Sequence, residues 1–334
     1  MKYGLLLPHF GAEADRDRLF QGARRAEALG FDSLWVRDHL VFEPHGGLER
    51  PDRTFYEALT TLAVVGAVTS RIGLGTGSLI PFRHPLVTAQ TVTTITHLVG
   101  PRLILGYGTG NFDHEFEAVG LGGIDRHALL RSHVAILRRI MAESGVSYRD
   151  DHFRFQDVTI DPKPRGGPVP LWHCGTSPLS ARLAAELFDG WMPGRIALAT
   201  LERRIRTIEE LCAASGRARP AIGVIPPTSV GPTREEALAP VNVEGLLAWA
   251  NRSRFAVKPP SGRFETVADL TGQLVAGTPD EIATECRRFQ ALGVDHLVFD
   301  LRFRFDRWID QLEQIGREVL PQLRAPTPGE DRRR

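Results

Sequence analysis

The strongest constraint on the fold is a repeat in which short apolar runs alternate with amphipathic helical segments. In the first half of the chain, apolar runs at 3–7, 32–36, 71–78 and 103–107 are each followed by a helical pattern. Uninterrupted apolar runs are typical of parallel strands that are covered on both faces. A spacing of roughly 30 residues leaves room for one crossover helix per unit, which predicts parallel strands joined by right-handed connections.

The second half adds four more units, with strands predicted at 169–173, 190–192, 221–225 and 296–299. Eight units predict a (β/α)8, or TIM, barrel, and 334 residues suit this fold with insertions. We predict helices at 15–29, 54–69, 85–98, 125–141, 178–187, 201–214, 279–292 and 306–320.

Two stretches interrupt the repeat and predict insertions after the fourth and seventh strands. Residues 148–161 are typical of a small hairpin. Residues 226–274 contain one helical stretch, at 235–251, and a segment this long between strands usually has a functional role. We expect one domain over 1–324, in which the 226–274 insertion covers the active site, followed by a disordered tail at 325–334.

A doubly wound nucleotide-binding sheet is the alternative fold. That fold carries its glycine fingerprint after the first strand, with an acidic residue some twenty residues later. Here the first strand is followed by Pro8-His9-Phe10-Gly11, and the glycines follow the third and fourth strands. The sequence therefore favours the barrel.

Charge and cysteine content narrow the class of protein. Lys and Arg number 41 and Asp and Glu 40, so bulk charge predicts neither a nucleic-acid nor a membrane-surface partner. Cys174, Cys212 and Cys286 lie far apart, which argues against a disulfide framework and favours the cytoplasm. No signal-peptide pattern or membrane-length apolar window is evident.

The carboxyl ends of the barrel strands should share one mouth, where barrel active sites lie. They carry Pro8-His9, Asp38-His39, Gly75–Ser78, Gly108–Asn111, His173–Thr176, Met192-Pro193 and Arg302. Several converging His and carboxylate ligands are missing, so no catalytic metal is expected. Gly-x-Ser-x-Gly is also missing, which argues against acyl transfer.

Glycine-rich loops and one histidine are the main functional candidates. Backbone amides at Gly108–Asn111 and Gly175–Ser177 are suited to phosphate binding, the latter just before a helix. His39 at the mouth can move a proton near neutral pH. The alternative is that Asp38 caps a loop and His39 only packs, and spacing alone does not decide between the two.

The chain resembles the bacterial luciferase-like superfamily of flavin- and deazaflavin-dependent oxidoreductases. The motifs occur in the family's order and cover residues 1–193 and the last strand. They are Gly30–His39, Gly75–Gly77, Arg83–Pro85, Leu105–Gly110, Glu115-Phe116, Pro162–Pro164, Pro168–Trp172, Asp189–Pro193 and Gly293–Phe299. The resemblance implies a (β/α)8 barrel with the cofactor ring in its mouth. It also implies a bulged third strand, often with a non-prolyl cis peptide, here near Gly77-Ser78.

The resemblance implies hydride transfer between the deazaflavin coenzyme F-420 and a small organic substrate, with His39 as proton shuttle beside Asp38. His9 and His173 are further candidates for the shuttle. The expected cofactor-binding residues are Gly75, Thr76, Gly77, Ser78, Tyr107, Gly108, Thr109, Gly110, Asn111, Cys174, Gly175, Thr176 and Ser177. The expected substrate contacts are His9, Trp35, Trp191 and Arg302. Arg195 and Arg302 are candidates for binding a carboxylate of the substrate or of the coenzyme tail.

Two alternative functions remain open. One is a reduced-FMN monooxygenase served by a separate flavin reductase, and the other is a non-catalytic flavin-binding barrel. Sugar-phosphate dehydrogenases of this superfamily carry a glutamate where this chain has Asn111, and an amide does not exchange protons in that way. The sequence therefore argues against that activity. The superfamily also leads us to expect a homodimer formed through helices of the first half.

Overall fold

The fold is described from a computed structural model, which covers residues 1–45 and 49–325. Its strands are β1 (Lys2–Leu6), β2 (Ser33–Val36), β3 (Gly73–Leu79), β4 (Leu103–Tyr107), β5 (Val146–Arg149), β6 (Arg154–Val158), β7 (Leu171–His173), β8 (Gly190–Trp191), β9 (Ala221–Val224), β10 (Thr228–Val230), β11 (Val275–Gly277) and β12 (His296–Phe299). Eight of them close a barrel in the order β1-β12-β9-β8-β7-β4-β3-β2. All barrel pairs are parallel, which confirms the predicted (β/α)8 fold.

The described helices surround the barrel. They are α1 (Arg16–Leu29), α2 (Ala58–Ala67), α3 (Pro85–Val99), α4 (Asp113–Ala118), α5 (Arg126–Ala142), α6 (Pro178–Leu187), α7 (Leu198–Ser215), α8 (Arg234–Leu238), α9 (Val243–Arg252), α10 (Pro279–Ala291), α11 (Trp308–Gln314) and α12 (Leu320–Arg324). Short 3-10 segments occupy Val267–Leu270 and Arg302–Arg307, and a π segment occupies Ile315–Val319. No helix in the described ranges is long and apolar enough to cross a membrane.

Capping residues explain where the predicted helices begin and end. Asp15 accepts a hydrogen bond from the Arg18 amide at 2.8 Å, and Gly30 ends α1 in the left-handed conformation at φ 86°. The second helix was predicted to begin at Thr54. It begins at Ala58 instead, because the Glu57 carboxylate caps the Thr60 amide at 2.7 Å. The short helix α4 was not predicted.

Two insertions stand outside the barrel. β5 and β6 form the antiparallel hairpin predicted after the fourth barrel strand. After β9, the chain forms β10, α8, α9 and β11, and β10 pairs with β11 in parallel. Gln311 holds β10 in place, since its side chain donates to the Val230 carbonyl and accepts from the Val230 amide, each at 3.0 Å. Both ends of this insertion are therefore fixed side by side. The predicted tail at 325–334 lies, apart from Ala325, outside the described residues.

Indole rings fill the barrel below its mouth. Trp35 and Trp172 lie 5.8 Å apart between ring centroids, and His296 contacts both rings edge-on. A Cβ at Gly75 would collide with the Trp35 ring, and one at Gly190 would collide with Trp172. These glycines therefore make room for the indoles, and the residues at this level belong to the core.

The third barrel strand has the predicted irregularity. Its register with β4 shifts between Thr76 and Leu79, and the Gly77-Ser78 peptide is cis. Beyond the shift, Gly77 and Ser78 line a cavity at the mouth of the barrel.

Candidate active site

A cavity of ≈ 560 Å³ lies at the carboxyl ends of the barrel strands. Loops that follow β2, β3, β4, β7, β8, β9 and β12 contribute to its wall. The insertion after β9 adds Trp249, Phe255 and Gln273. Its position is the one where the predicted site residues were expected to meet.

Asp38 lines the cavity but is held by an ion pair. Its carboxylate accepts two hydrogen bonds from Arg83, at 2.7 and 2.9 Å, and a third from the Ile80 amide at 3.0 Å. The Asp38 side chain is 1% exposed. Asp38 therefore fixes the loop after β3 against the end of β2, and its oxygens are already occupied.

His39 stands between a carboxylate and a guanidinium. Its Nδ1 lies 3.1 Å from Glu115 Oε2, and its Nε2 lies 3.1 Å from Arg37 Nη2. A carboxylate only accepts and a guanidinium only donates, so these partners assign the proton of neutral His39 to Nδ1. The Nε2 lone pair of the ring therefore accepts a hydrogen bond from Arg37 at the edge of the cavity.

Glu115 supports the His39 ring, a role that was not predicted from the sequence. Besides His39, it accepts hydrogen bonds from the Leu40 and Val41 amides at 2.8 and 3.2 Å. Burial alone would raise the pKa of Glu115, but its bond to His39 and these amides outweigh burial and lower it. Glu115 is thus a carboxylate that orients the ring from α4.

A buried ion network forms the next part of the wall. Glu49 pairs with Arg37 at 2.7 Å and with Arg302, and Arg302 also pairs with Asp300. His45 Nδ1 lies 2.9 Å from Glu49 Oε2, and burial lowers the pKa of His45 to about 4. The network therefore contributes two guanidiniums and two carboxylates, with His45 neutral at physiological pH.

Glycine-lined loops form the opposite part of the cavity. The wall here comprises Gly77, Ser78, Gly108, Thr109, Gly110, Asn111, Cys174, Gly175, Thr176 and Ser177, all predicted cofactor-binding residues. A Cβ at Gly108 would collide with the Ser78 hydroxyl, and one at Gly175 with the Ser180 hydroxyl. Only glycine allows these loops to approach so closely, which leaves a smooth wall.

Beside these loops lie a helix terminus and a histidine ring nitrogen without a partner among the described residues. Ser177 caps α6 by accepting from the Ser180 amide at 3.1 Å, so the amino end of this helix faces the cavity. His127, at the start of α5, also lines the cavity, and its buried Nδ1 has no hydrogen-bond partner in the described ranges. Together they offer an anionic group a helix terminus and a ring nitrogen that donates when its tautomer carries the proton on Nδ1.

Several predicted site residues do not reach the cavity. They are Gly75, Thr76, Tyr107, His9, Trp35, Trp191 and His173. Trp35 and Gly75 pack against each other in the core, and Thr76 donates to the Gly106 carbonyl at 3.0 Å. Tyr107 is 1% exposed.

The two candidate histidines and Trp191 have structural partners instead. His9 is fully buried, bonds to the backbone of Leu7 and Arg37, and burial lowers its pKa to about 4. His173 Nδ1 lies 3.1 Å from the Tyr107 carbonyl oxygen. The Trp191 indole donates to the Gly175 carbonyl at 2.9 Å and so supports that loop. Of the predicted substrate contacts, Arg302 alone lines the cavity.

Comparison with known proteins places the chain among enzymes of one family. An F-420-dependent glucose-6-phosphate dehydrogenase of Intrasporangium calvum is 32% identical over 323 residues, covering 90% of this chain and 93% of its own. An F-420-dependent secondary alcohol dehydrogenase, in complex with an F-420–acetone adduct, superposes with a TM-score of 0.78 at 22% identity, over 97% and 99% of the two chains.

A second solved structure shares the fold with a different ligand. It is a type II Baeyer–Villiger monooxygenase of Pseudomonas putida in complex with FMN, with a TM-score of 0.75 at 18% identity over 98% and 99% of the chains. At such identities these two likenesses establish the barrel. The family assignment comes from the sequence model described as luciferase-like monooxygenase, which matches residues 1–296, so the chain belongs to the luciferase-like monooxygenase family.

Proposed function

We propose that this protein is an oxidoreductase that transfers hydride between coenzyme F-420 and a small organic substrate. The observation that carries the proposal is His39, held between Glu115 and Arg37 at the edge of a glycine-lined cavity. Relatives about 30% identical over most of the chain are named F-420-dependent dehydrogenases, which supports the deazaflavin as the cofactor.

The wall of the cavity suits such a coenzyme. A flat ring packs best against smooth surfaces. Gly77, Gly108 and Gly175 provide such surfaces, and a Cβ at each of these positions would collide with a neighbouring side chain. The phosphate of the tail requires donors, which the α6 terminus offers, together with His127 in the tautomer protonated on Nδ1. We propose that these residues, with Ser78 and Thr109–Asn111, hold the coenzyme.

When bound, the deazaflavin supplies a ring carbon that takes or gives hydride and does not activate oxygen. This chain must then move a proton at the substrate oxygen. His39 Nε2 is the proposed acceptor, and a proton arriving there displaces Arg37 Nη2. Arg37 stays in place because its Nη1 remains bonded to Glu49, and Glu115 stabilises the protonated ring through Nδ1.

Glucose 6-phosphate is not the substrate we propose, although relatives bear that enzyme's name. Asn111 lines the cavity where the resemblance to sugar-phosphate dehydrogenases predicts a glutamate. An amide side chain does not exchange protons, so that acid–base role is lost. The insertion supplies Trp249, Phe255 and Gln273 to the wall, and we propose that it covers the site and sets specificity.

Fluorescence titration with F-420 and, separately, with FMN tests the cofactor. We expect saturable binding of F-420 and weaker binding of FMN. Tight FMN binding without F-420 binding, followed by substrate-dependent oxygen uptake when a flavin reductase is added, would instead support a monooxygenase. Binding without turnover under either condition would support a non-catalytic flavin-binding barrel.

The oligomeric state is a separate proposal. Val64 on α2 and Val87 and Leu98 on α3 are exposed apolar side chains, and Leu98 is 75% exposed. These exposed apolar side chains on two helices of the first half support the expected homodimer. Sedimentation at micromolar concentration measures it, and a Leu98→Glu variant should shift the protein towards monomer.

A further inference from the structure

Arg195 differs from the other charged residues of the cavity. It follows β8, and no hydrogen bond or ion pair joins its guanidinium to any residue in the described ranges. Its Nε atom is buried without a hydrogen-bond partner among the described residues. It contacts the insertion, because its guanidinium carbon lies 4.5 Å from the centre of the Trp249 ring. The indole face stabilises a cation but accepts no directed pair of hydrogen bonds.

The carboxylates around Arg195 already have other partners. The two carboxylates Glu49 and Asp300 are matched by the two guanidiniums Arg37 and Arg302. Asp38 is paired with Arg83, and Glu115 is held by the neutral His39 ring and by the Leu40 and Val41 amides. Within the described ranges, Arg195 therefore has no carboxylate as a direct ion-pair partner.

Burial makes the guanidinium charge of Arg195 energetically unfavourable. Burial first, and the neighbouring Arg302 next, lower the pKa of Arg195 to about 9. The group is still protonated at neutral pH. A partly buried cation with unused donors is destabilising unless a bound anion compensates it.

A second unused donor lies on the same part of the wall. Gln273 is 5% exposed, lines the cavity, and its Nε2 has no hydrogen-bond partner among the described residues. Residues 271–273 pack on 196–198, since the Leu198 amide donates to the Thr271 carbonyl at 3.0 Å. A Cβ at Gly272 would lie 2.9 Å from the Ile196 carbonyl oxygen, so the two segments are in direct contact. Arg195 and Gln273 are thus brought together by the backbone.

We propose that Arg195 and Gln273 bind one carboxylate group of the substrate, with Trp249 as the surface on which Arg195 rests. A planar guanidinium fork matches the two oxygens of a carboxylate, and the Gln273 amide adds a third donor. A single guanidinium without an ion-pair partner matches a monoanion. A phosphate dianion would bring a second negative charge close to Asp300 and Glu49. The inference rests on the proposed function, since it gives a substrate class, small organic carboxylates, to the same cavity.

The test uses benzoate and butanoate as probes, each compared with its neutral amide, and phenyl phosphate as the competing anion. Binding to the F-420-loaded protein is measured by isothermal titration calorimetry, and repeated without coenzyme. We expect each carboxylate to bind at least about tenfold more tightly than its amide. Phenyl phosphate should bind more weakly than benzoate.

Substitutions of Arg195 and Gln273 test whether these two residues bind the carboxylate. Arg195→Gln should weaken carboxylate binding by about tenfold or more and leave amide binding unchanged, whereas Arg195→Lys should have an intermediate effect. Gln273→Leu should weaken it by severalfold. Arg206→Gln is the matched control, because Arg206 carries the same charge on the exposed face of α7 and pairs with Glu202. It should change nothing.

Three outcomes would overturn the inference. One is that neither carboxylate is preferred over its amide. Another is tighter binding of phenyl phosphate than of benzoate. The third is that Arg195→Gln weakens F-420 itself, which would assign Arg195 to the coenzyme tail. Failure of the wild-type protein to bind F-420 would instead refute the proposed function, and the titrations without coenzyme would still test the carboxylate site.

Discussion

The two sides of the cavity differ in how their polar side chains are satisfied. On the side formed by β2, β3 and α4, Asp38 is held by Arg83, and His39 by Glu115 and Arg37. On the side formed by the β8 loop and the insertion, Arg195 and Gln273 keep buried donors without partners among the described residues. The first side is organised before any ligand arrives, which suits the catalytic role proposed for it. The second keeps donors that a ligand can use, which suits the binding role proposed for it.

Replacing His39 should have the largest effect and tests the first side most directly. His39→Gln keeps a polar group of similar reach but cannot carry a proton near neutral pH. We expect turnover to fall by about 10² to 10⁴-fold with the Kd of F-420 little changed. Steady-state kinetics and fluorescence titration measure the two quantities. Unchanged turnover would mean that both sides of the cavity serve only binding.

Removing the charge of Asp38 should destabilise the folded protein. In Asp38→Asn, Arg83 and the Ile80 amide face a neutral side chain at a position where the native carboxylate is 1% exposed. We expect a loss of about 3 kcal/mol in the free energy of unfolding, measured by urea denaturation. Asp17→Asn removes a carboxylate from an exposed ion pair and is the control, expected to change little. Equal effects of the two substitutions would contradict the assigned role.

Glu115→Gln should destabilise the folded protein by an amount that depends on pH, because it removes a carboxylate charge. We expect a loss of about 2 kcal/mol in unfolding free energy at pH 7. Because the folded-state pKa of Glu115 is lowered, its stabilising contribution is present above the ordinary value of 4.5 and disappears as the pH falls through the folded value. The difference between wild type and variant should therefore shrink below pH 4. A constant difference down to pH 3 would show that the carboxylate charge is unimportant.

Trp249→Leu should have the smallest effect and sharpens the description of the second side. It removes the aromatic face under Arg195 and keeps an apolar side chain. We expect carboxylate binding to weaken by roughly three- to fivefold, with F-420 binding unchanged. Calorimetry with benzoate measures this change. A loss as large as that of Arg195→Gln would mean that Trp249 contacts the ligand directly.

Local patterns in the sequence predicted the barrel well. Apolar runs marked all eight strands, and caps such as Asp15 and Thr278 marked helix starts, because these signals lie within a few residues of one another. The cofactor wall was located for the same reason, since its glycines follow strand ends.

The partners of the site residues could not be predicted in this way. Glu115 reaches His39 across 76 positions, and the segment with Gln273 packs on the segment after Arg195 through the hydrogen bond from the Leu198 amide to the Thr271 carbonyl. The same limit explains the predicted residues that do not line the cavity. Trp35 and Trp191 lie near strand ends in the sequence, but the inward direction of each side chain depends on the closed barrel.

The paired strands β10 and β11 have a consequence for how enzymes of this shape diversify. The entry and exit of residues 231–274 are neighbouring strands, and Gln311 fixes β10 from outside the segment. Chain can therefore be exchanged or lengthened between them at modest cost, since doubling the length of a flexible loop costs only about 0.6 kcal/mol. Grafting this segment from one relative onto another should transfer substrate preference while the barrel and His39 stay unaltered.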